Sequence, residues 1–228
     1  MTQTKSKLSN WTKKLVIFIS FLTTVILIIS TILGFKRFSE VFNEHLSSPL
    51  YHLRTISEAT NKNVCVKLLE EVNANYKYLG NRNYSDNEVC QIIDAVKLSG
   101  TVKSELTSPV ITSCITAVQL SRWLNELGAQ SVEHMGSYNC RKIRNSQKLS
   151  EHSFGKAIDI SRLDNAVLED HWNDSGAKGE KLRKAAKLAC KYFTNVLTPD
   201  SNSLHKDHFH FDNKAGLYTR WHYWFGCK

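Results

Sequence analysis

Two short stretches of the sequence carry side chains whose types and spacing could hold a metal ion. In the first, Ser150-Glu151-His152-Ser153-Phe154-Gly155-Lys156-Ala157-Ile158-Asp159, an imidazole and a carboxylate stand seven residues apart. On one straight strand an odd separation would point them to opposite faces. Gly155 lies between them and tolerates backbone conformations that other residues avoid. A turn there, followed by a strand from Ala157 to Ile160, can bring both groups to one cation. The second stretch is His205-Lys206-Asp207-His208-Phe209-His210-Phe211. A strand alternates its faces, so His208 and His210 share one side while Phe209 and Phe211 share the other and can enter a core. Two histidines and one carboxylate form a known catalytic zinc set.

These residues need a scaffold, and the hydrophobic pattern predicts one. Residues 112–127 have the strongest helical periodicity, with Ile115, Val118, Leu120, Trp123, Leu124 and Leu127 recurring at three- and four-residue intervals. Thr112 or Ser113 can cap its start, and Gly128 can end it. A second helix is predicted from Lys178 to Val196, burying Leu182, Ala185, Ala186, Ala189 and Phe193. Val64–Val72 has helical spacing, Tyr76–Leu79 reads as a short strand, and Asn81–Asp86 is rich in turn formers. Val132–Tyr138, Ala157–Ser161 and His208–Asp212 read as further strands. Helices and short strands in this order imply an α+β domain, a small antiparallel sheet with flanking helices.

Composition places that domain on one side of a membrane. The chain of 228 residues has a formal net charge of +9. Six of those charges (Lys5, Lys7, Lys13, Lys14, Lys36, Arg37) lie in residues 1–37, which contain no acid, so the rest of the chain carries +3. Such a balance argues against nucleic-acid binding, which needs a dense basic face on the folded domain. Residues 15–35 are predominantly apolar and contain no charged residue, and about twenty such residues span a bilayer as a helix. The run ends in Ile32-Leu33-Gly34-Phe35, without the small-residue pattern of a cleaved signal, so it reads as an anchor in the lipid bilayer. The basic N-terminus is then cytoplasmic and the remainder extracytoplasmic. The expected organisation is a tail at 1–14, a transmembrane anchor at 15–35, a stalk at 36–62 and a catalytic domain at 63–228. All six cysteines, Cys65, Cys90, Cys114, Cys140, Cys190 and Cys227, fall beyond the anchor. None forms a close metal-binding pair, so they read as disulfides of an oxidising compartment. The aromatic run Tyr218, Trp221, Tyr223, Trp224, Phe225 reads as a packed C-terminal tail held by Cys227. His134, His171 and His222 lack a spacing partner and read as structural or exposed.

The motifs also carry a family resemblance. The stretch SEHSFGKAIDI is similar to the S-x-H-x-x-G-x-A-x-D signature of LAS-type zinc peptidases, which include lysostaphin-type enzymes, D-Ala-D-Ala peptidases and the Hedgehog fold. The HFH stretch resembles their second motif. The longer string GSYNCR, LSEH, G-x-A-x-D and HKDHFHFD resembles the extensin-like C-terminal domain family of bacterial proteins, from about Cys65 to Cys227. The resemblance implies Zn2+ held by His152, Asp159 and His210. It places candidate general bases at His208, Asp207 and His205, and strand geometry favours His208. Asp207 stands where carboxypeptidase members have a longer glutamate. Arg141 can bind a substrate carboxylate or a developing oxyanion. The implied activity is hydrolysis of peptidoglycan stem peptides or cross-links, endopeptidase before carboxypeptidase. The setting would be the periplasmic side of the bacterial inner membrane, with protein partners left open. A non-catalytic zinc module that binds cell wall or a protein, and a disulfide-stapled domain without metal, are the alternatives.

Overall fold

The computed structural model of the chain describes residues 62–214. The expected anchor, all of the expected stalk except Lys62, and the C-terminal aromatic run with His222 and Cys227 lie outside the described residues. Among the described residues no helix is long and apolar enough to cross a membrane.

The chain opens with helix α1 (Lys62–Glu71) and strands β1 (Ala74–Asn83), β2 (Gln91–Thr101) and β3 (Glu105–Ser113). Helix α2 (Cys114–Leu127) and strand β4 (Ser131–Gly136) follow. After a loop and a 3-10 turn at Glu151–Phe154 come β5 (Ala157–Leu163), β6 (Ala166–Val167) and the short α3 (Leu168–His171). Helix α4 (Ala177–Ala189), β7 (Asn195–Leu197), a 3-10 turn at Ser203–His205 and β8 (Phe209–Asp212) complete the order.

The strands form one eight-stranded sheet in the order β1-β2-β3-β4-β5-β8-β7, with β6 paired to β5. The sheet is larger than expected and is mixed. Every pairing is antiparallel except β3–β4, which run parallel over Glu105–Leu106 and Ser131–Val132. Parallel neighbours need a crossover connection, and α2 is that crossover. The expectation of a wholly antiparallel sheet missed it because β2 and β3 were not anticipated. Asp94 interrupts the apolar alternation of β2 at a positive φ of 50°, and Pro109 interrupts β3.

Helix α2 follows its periodicity closely. Ser113 stands at the N-cap position, but its side chain makes no capping bond; its hydroxyl pairs with Thr116 Oγ1 at 3.1 Å. Gly128 ends the helix in the left-handed conformation at φ 73°. Helix α4 stops at Ala189, earlier than predicted. The chain turns through Lys191–Thr194 so that Asn195–Leu197 can pair with β8. The Trp123 indole N–H donates to the Ala185 carbonyl at 3.0 Å, tying α2 to α4.

One face of the sheet packs on these helices. Val96, Leu98, Ile158, Ile160, Phe209 and Phe211 are buried there with Leu120, Trp123 and Phe193. Phe211 lies edge-on to Trp123 at 5.3 Å between ring centroids and stacks on Phe193 at 5.1 Å. The disulfide Cys65–Cys114 staples α1 to the start of α2, and Cys90–Cys140 ties the entry of β2 to the loop after β4. Cys190 is also disulfide-bonded.

Candidate metal centre

The apolar alternation that buries Phe209 and Phe211 turns His210 to the opposite face of β8. The same alternation on β5 buries Ile158 and Ile160 and turns Asp159 to that face. The two strands are antiparallel neighbours, and Asp159 and His210 are direct cross-strand partners. His210 Nδ1 lies 2.9 Å from Asp159 Oδ1.

His152 reaches the same point from the 3-10 turn. Ser150 caps that turn, accepting from the His152 amide at 3.4 Å, and Gly155 closes it at φ 61°. A β-carbon at position 155 would stand 2.9 Å from the Ser113 amide nitrogen, so glycine is required on both conformational and steric grounds. The Gly155 carbonyl accepts from the Ser113 amide at 2.8 Å and from the Thr112 hydroxyl at 2.6 Å, which fastens the turn to the end of β3. His152 Nε2 then lies 3.1 Å from His210 Nδ1 and 3.2 Å from Asp159 Oδ2.

Three ligand-type atoms therefore converge, all within 4.8 Å of one another. A tetrahedral zinc with bonds near 2.0–2.1 Å places its ligand atoms about 3.3 Å apart, and the contacts that join the three groups, one through each Asp159 oxygen and one between the imidazoles, run from 2.9 to 3.2 Å. The outward nitrogen of each imidazole faces an acceptor. His152 Nδ1 is 2.7 Å from the Ser137 carbonyl, and His210 Nε2 is 3.0 Å from Asp212 Oδ2. Each acceptor can take the outward ring N–H, which would leave the other nitrogen's lone pair to a cation, the arrangement that metal-bound histidines adopt. The donor set and its surroundings thus fit zinc.

The electrostatics agree. Burial alone would raise the Asp159 carboxyl, but hydrogen bonds and charge from His152 and His210 hold it well below the usual range. Burial alone would lower His210, yet hydrogen bonds to Asp159 and Asp212 push it up to about 9. His210 is thus held between two carboxylates that favour a positive charge at its position.

The candidate bases gather beside this centre. His208 Nε2 lies 3.8 Å from Asp159 Oδ1, and His208 Nδ1 lies 2.7 Å from Asp207 Oδ1. Asp207 is more exposed than the imidazole it holds. The His205 ring stands 5.1 Å from that of His208 and 5.7 Å from that of His210. Burial, reinforced by the neighbouring His210 and His208, drives His205 down to about 4.

Arg141 is placed differently. Its backbone braces the His152 turn, with its N–H donated to Ser153 Oγ at 3.0 Å and its carbonyl accepting from the Ser150 amide at 3.0 Å. The side chain is exposed, and none of the described residues forms an ion pair with it. His134 and His171 act locally, His134 Nε2 on the Ser108 carbonyl at 2.8 Å and His171 Nδ1 on the Val167 amide at 3.1 Å. The sequence reading missed Asp212 and Ser137. The alternation that joined His208 to His210 extends to Asp212, so that residue had a usable signal. Ser137 acts through its carbonyl, which carries no signature of residue type.

A family model described as extensin-like protein C-terminus matches residues 63–223, more than half of the chain. The chain matches no curated protein and no solved structure.

Proposed function

The chain belongs to the family of extensin-like protein C-termini, and from that premise we propose that it is a zinc peptidase acting on peptidoglycan stem peptides or their cross-links. The observation that carries the reading is the convergence of His152, Asp159 and His210, each imidazole with its outward nitrogen at an acceptor. The similarity of both motifs to those of LAS-type peptidases supports the substrate class. The histidine-rich approach to β8 favours a D,D-endopeptidase over a carboxypeptidase. The apolar run at 15–35 would hold the domain on the outer side of a bacterial inner membrane, within reach of that polymer.

Zinc held by these three residues would supply Lewis acidity for the scissile carbonyl and lower the pKa of an attacking water. His208 is the proposed general base. Asp207 accepts its Nδ1–H, which leaves the Nε2 lone pair on the side of the centre. Nε2 takes a proton from the attacking water and returns it to the departing amine. Asp207 is engaged by His208, so its role is to hold the imidazole; His205 stands behind as a second base candidate. Arg141, on the exposed loop before the His152 turn, is the proposed partner of a substrate carboxylate.

The test is a digest of purified sacculi and dimeric muropeptides by the full-length chain, with zinc, with chelator, and as His210→Ala. Cross-linked dimers should disappear only with the intact, zinc-loaded chain, and the product masses identify the bond cut. His208→Ala should retain zinc while losing roughly 10²–10⁴-fold in rate. A folded, zinc-loaded chain that leaves every muropeptide intact yet sediments with sacculi would transfer the assignment to a binding module.

A further inference from the structure

We propose that Asp212 is a positioning residue of the metal centre, a buried second carboxylate that orients His210 and supplies half of the negative charge needed to balance a divalent cation. The proposal rests on the zinc reading above and extends it to a residue outside the three donors.

Asp212 is only 4% exposed, and both of its oxygens are engaged. Oδ2 faces His210 Nε2 at 3.0 Å and accepts from Asn195 Nδ2 at 2.8 Å. Oδ1 accepts from the Lys214 amide at 3.0 Å. The carboxylate therefore cannot swing away without breaking several bonds at once. Asn195 is its cross-strand partner on β7, so the short edge strand delivers the amide that fixes the carboxylate that fixes the imidazole.

Charge separates this role from ordinary packing. A buried carboxylate needs a compensating positive group. Among the described residues, the ion-pair partner of Asp212 is His210, with no lysine or arginine paired to it. Asp159 and Asp212 flank His210 on its two ring nitrogens and together carry two negative charges. A divalent cation between His152, Asp159 and His210 matches that total, and the imidazole relays the second charge to it. A hydrogen-bonded carboxylate behind a ligand histidine raises the basicity of the ligand and typically strengthens metal binding by about 10–100-fold.

The experiment uses the full-length chain in mild detergent, as wild type, Asp212→Ala, Asp212→Asn and Asn195→Ala. Zinc affinity is read by competition with a chromophoric chelator, and ligand geometry by the visible absorption of the Co2+-loaded chain. Asp212→Ala should weaken zinc by roughly 10–100-fold and alter the cobalt spectrum. Asp212→Asn keeps an acceptor for Nε2–H but removes the charge, so it should weaken zinc while preserving most of the spectrum. Asn195→Ala should give a smaller loss in the same direction. If Asp212→Ala does not fold, the Asn variant decides. Wild-type zinc affinity and cobalt spectrum in the Asp212 variants, even with lowered metal-free stability, would reduce Asp212 to packing and leave the zinc reading intact. A wild type that binds neither metal would overturn both.

Discussion

The two imidazoles of the centre are held in different ways. His210 sits on β8, whose opposite face is Phe209 and Phe211 packed against Trp123, Trp172 and Phe193. Its orientation is inherited from the core, and its outward nitrogen meets a carboxylate. His152 sits on a 3-10 turn after a long loop, and its outward nitrogen meets a backbone carbonyl at Ser137. That loop is held by Cys90–Cys140 and by the hydrogen bonds of Ser153, Thr112 and Gly155. One ligand depends on packing and the other on stapled chain geometry, so damage to each should be read out differently.

The largest effect should come from the packed side. Phe211→Ala removes a fully buried ring, and such truncations cost about 3–5 kcal/mol. Denaturant unfolding followed by tryptophan fluorescence should show that loss, with zinc affinity falling in step because β8 carries a ligand. A variant that keeps wild-type stability would break the link between the packed face of β8 and the orientation of His210.

The stapled side can be isolated by comparing the two disulfides. Their cysteines are separated by 49 and 50 residues. Loop-closure entropy therefore predicts nearly equal losses, about 4 kcal/mol each. Removing Cys90–Cys140 as the double serine variant should also weaken zinc, because Cys140 lies on the loop that carries Ser137. Removing Cys65–Cys114 should leave the zinc affinity of the folded fraction unchanged. Equal zinc losses in both variants would erase the distinction.

The smallest of these effects is electrostatic and belongs to the strand-held pair. Against the opposing effect of burial, hydrogen bonds to Asp159 and Asp212 push His210 up to about 9 from the ordinary imidazole value of 6.5. Its contribution to stability is present below about pH 6.5 and is lost as pH rises through 9, on the order of 3 kcal/mol. The Asp159 shift has the opposite sign. Its contribution is present above about pH 4 and is lost as pH falls through the depressed folded value. Thermal melts of the chelated chain should therefore decline between pH 6.5 and 9, and zinc should flatten that slope. A chelated chain equally stable at pH 6 and pH 9 would contradict the ion pairs of His210 with Asp159 and Asp212.

Much of this centre could be read from residue types. His152, Gly155 and Asp159 fall in one short string, and Phe209 and Phe211 reveal the face that His210 must occupy. The long helix was legible because its apolar period runs unbroken from Ile115 to Leu127. The sheet was less so. Asp94 breaks the alternation of β2 at a bulge where it bonds the Tyr78 hydroxyl, and Pro109 obscures β3. Without those two strands, the parallel β3–β4 pair had no reason to be expected. The end of α4 was hidden because Tyr192 and Phe193 continue an apolar pattern after the helix has ended. Ser137 was invisible for a deeper reason, since its contribution is a peptide carbonyl that any residue could have supplied.

The order of the ligands along the chain has a consequence for its synthesis. His152 and Asp159 precede His210, and His152 is separated from it by 58 residues. At about 5–20 residues per second the third donor leaves the ribosome roughly 3–12 s after the first. During that interval the nascent polypeptide would offer the proposed zinc only His152 and Asp159, without the cross-strand partner that β8 brings. The proposed three-donor site would therefore be complete only once β8 has emerged and paired with β5.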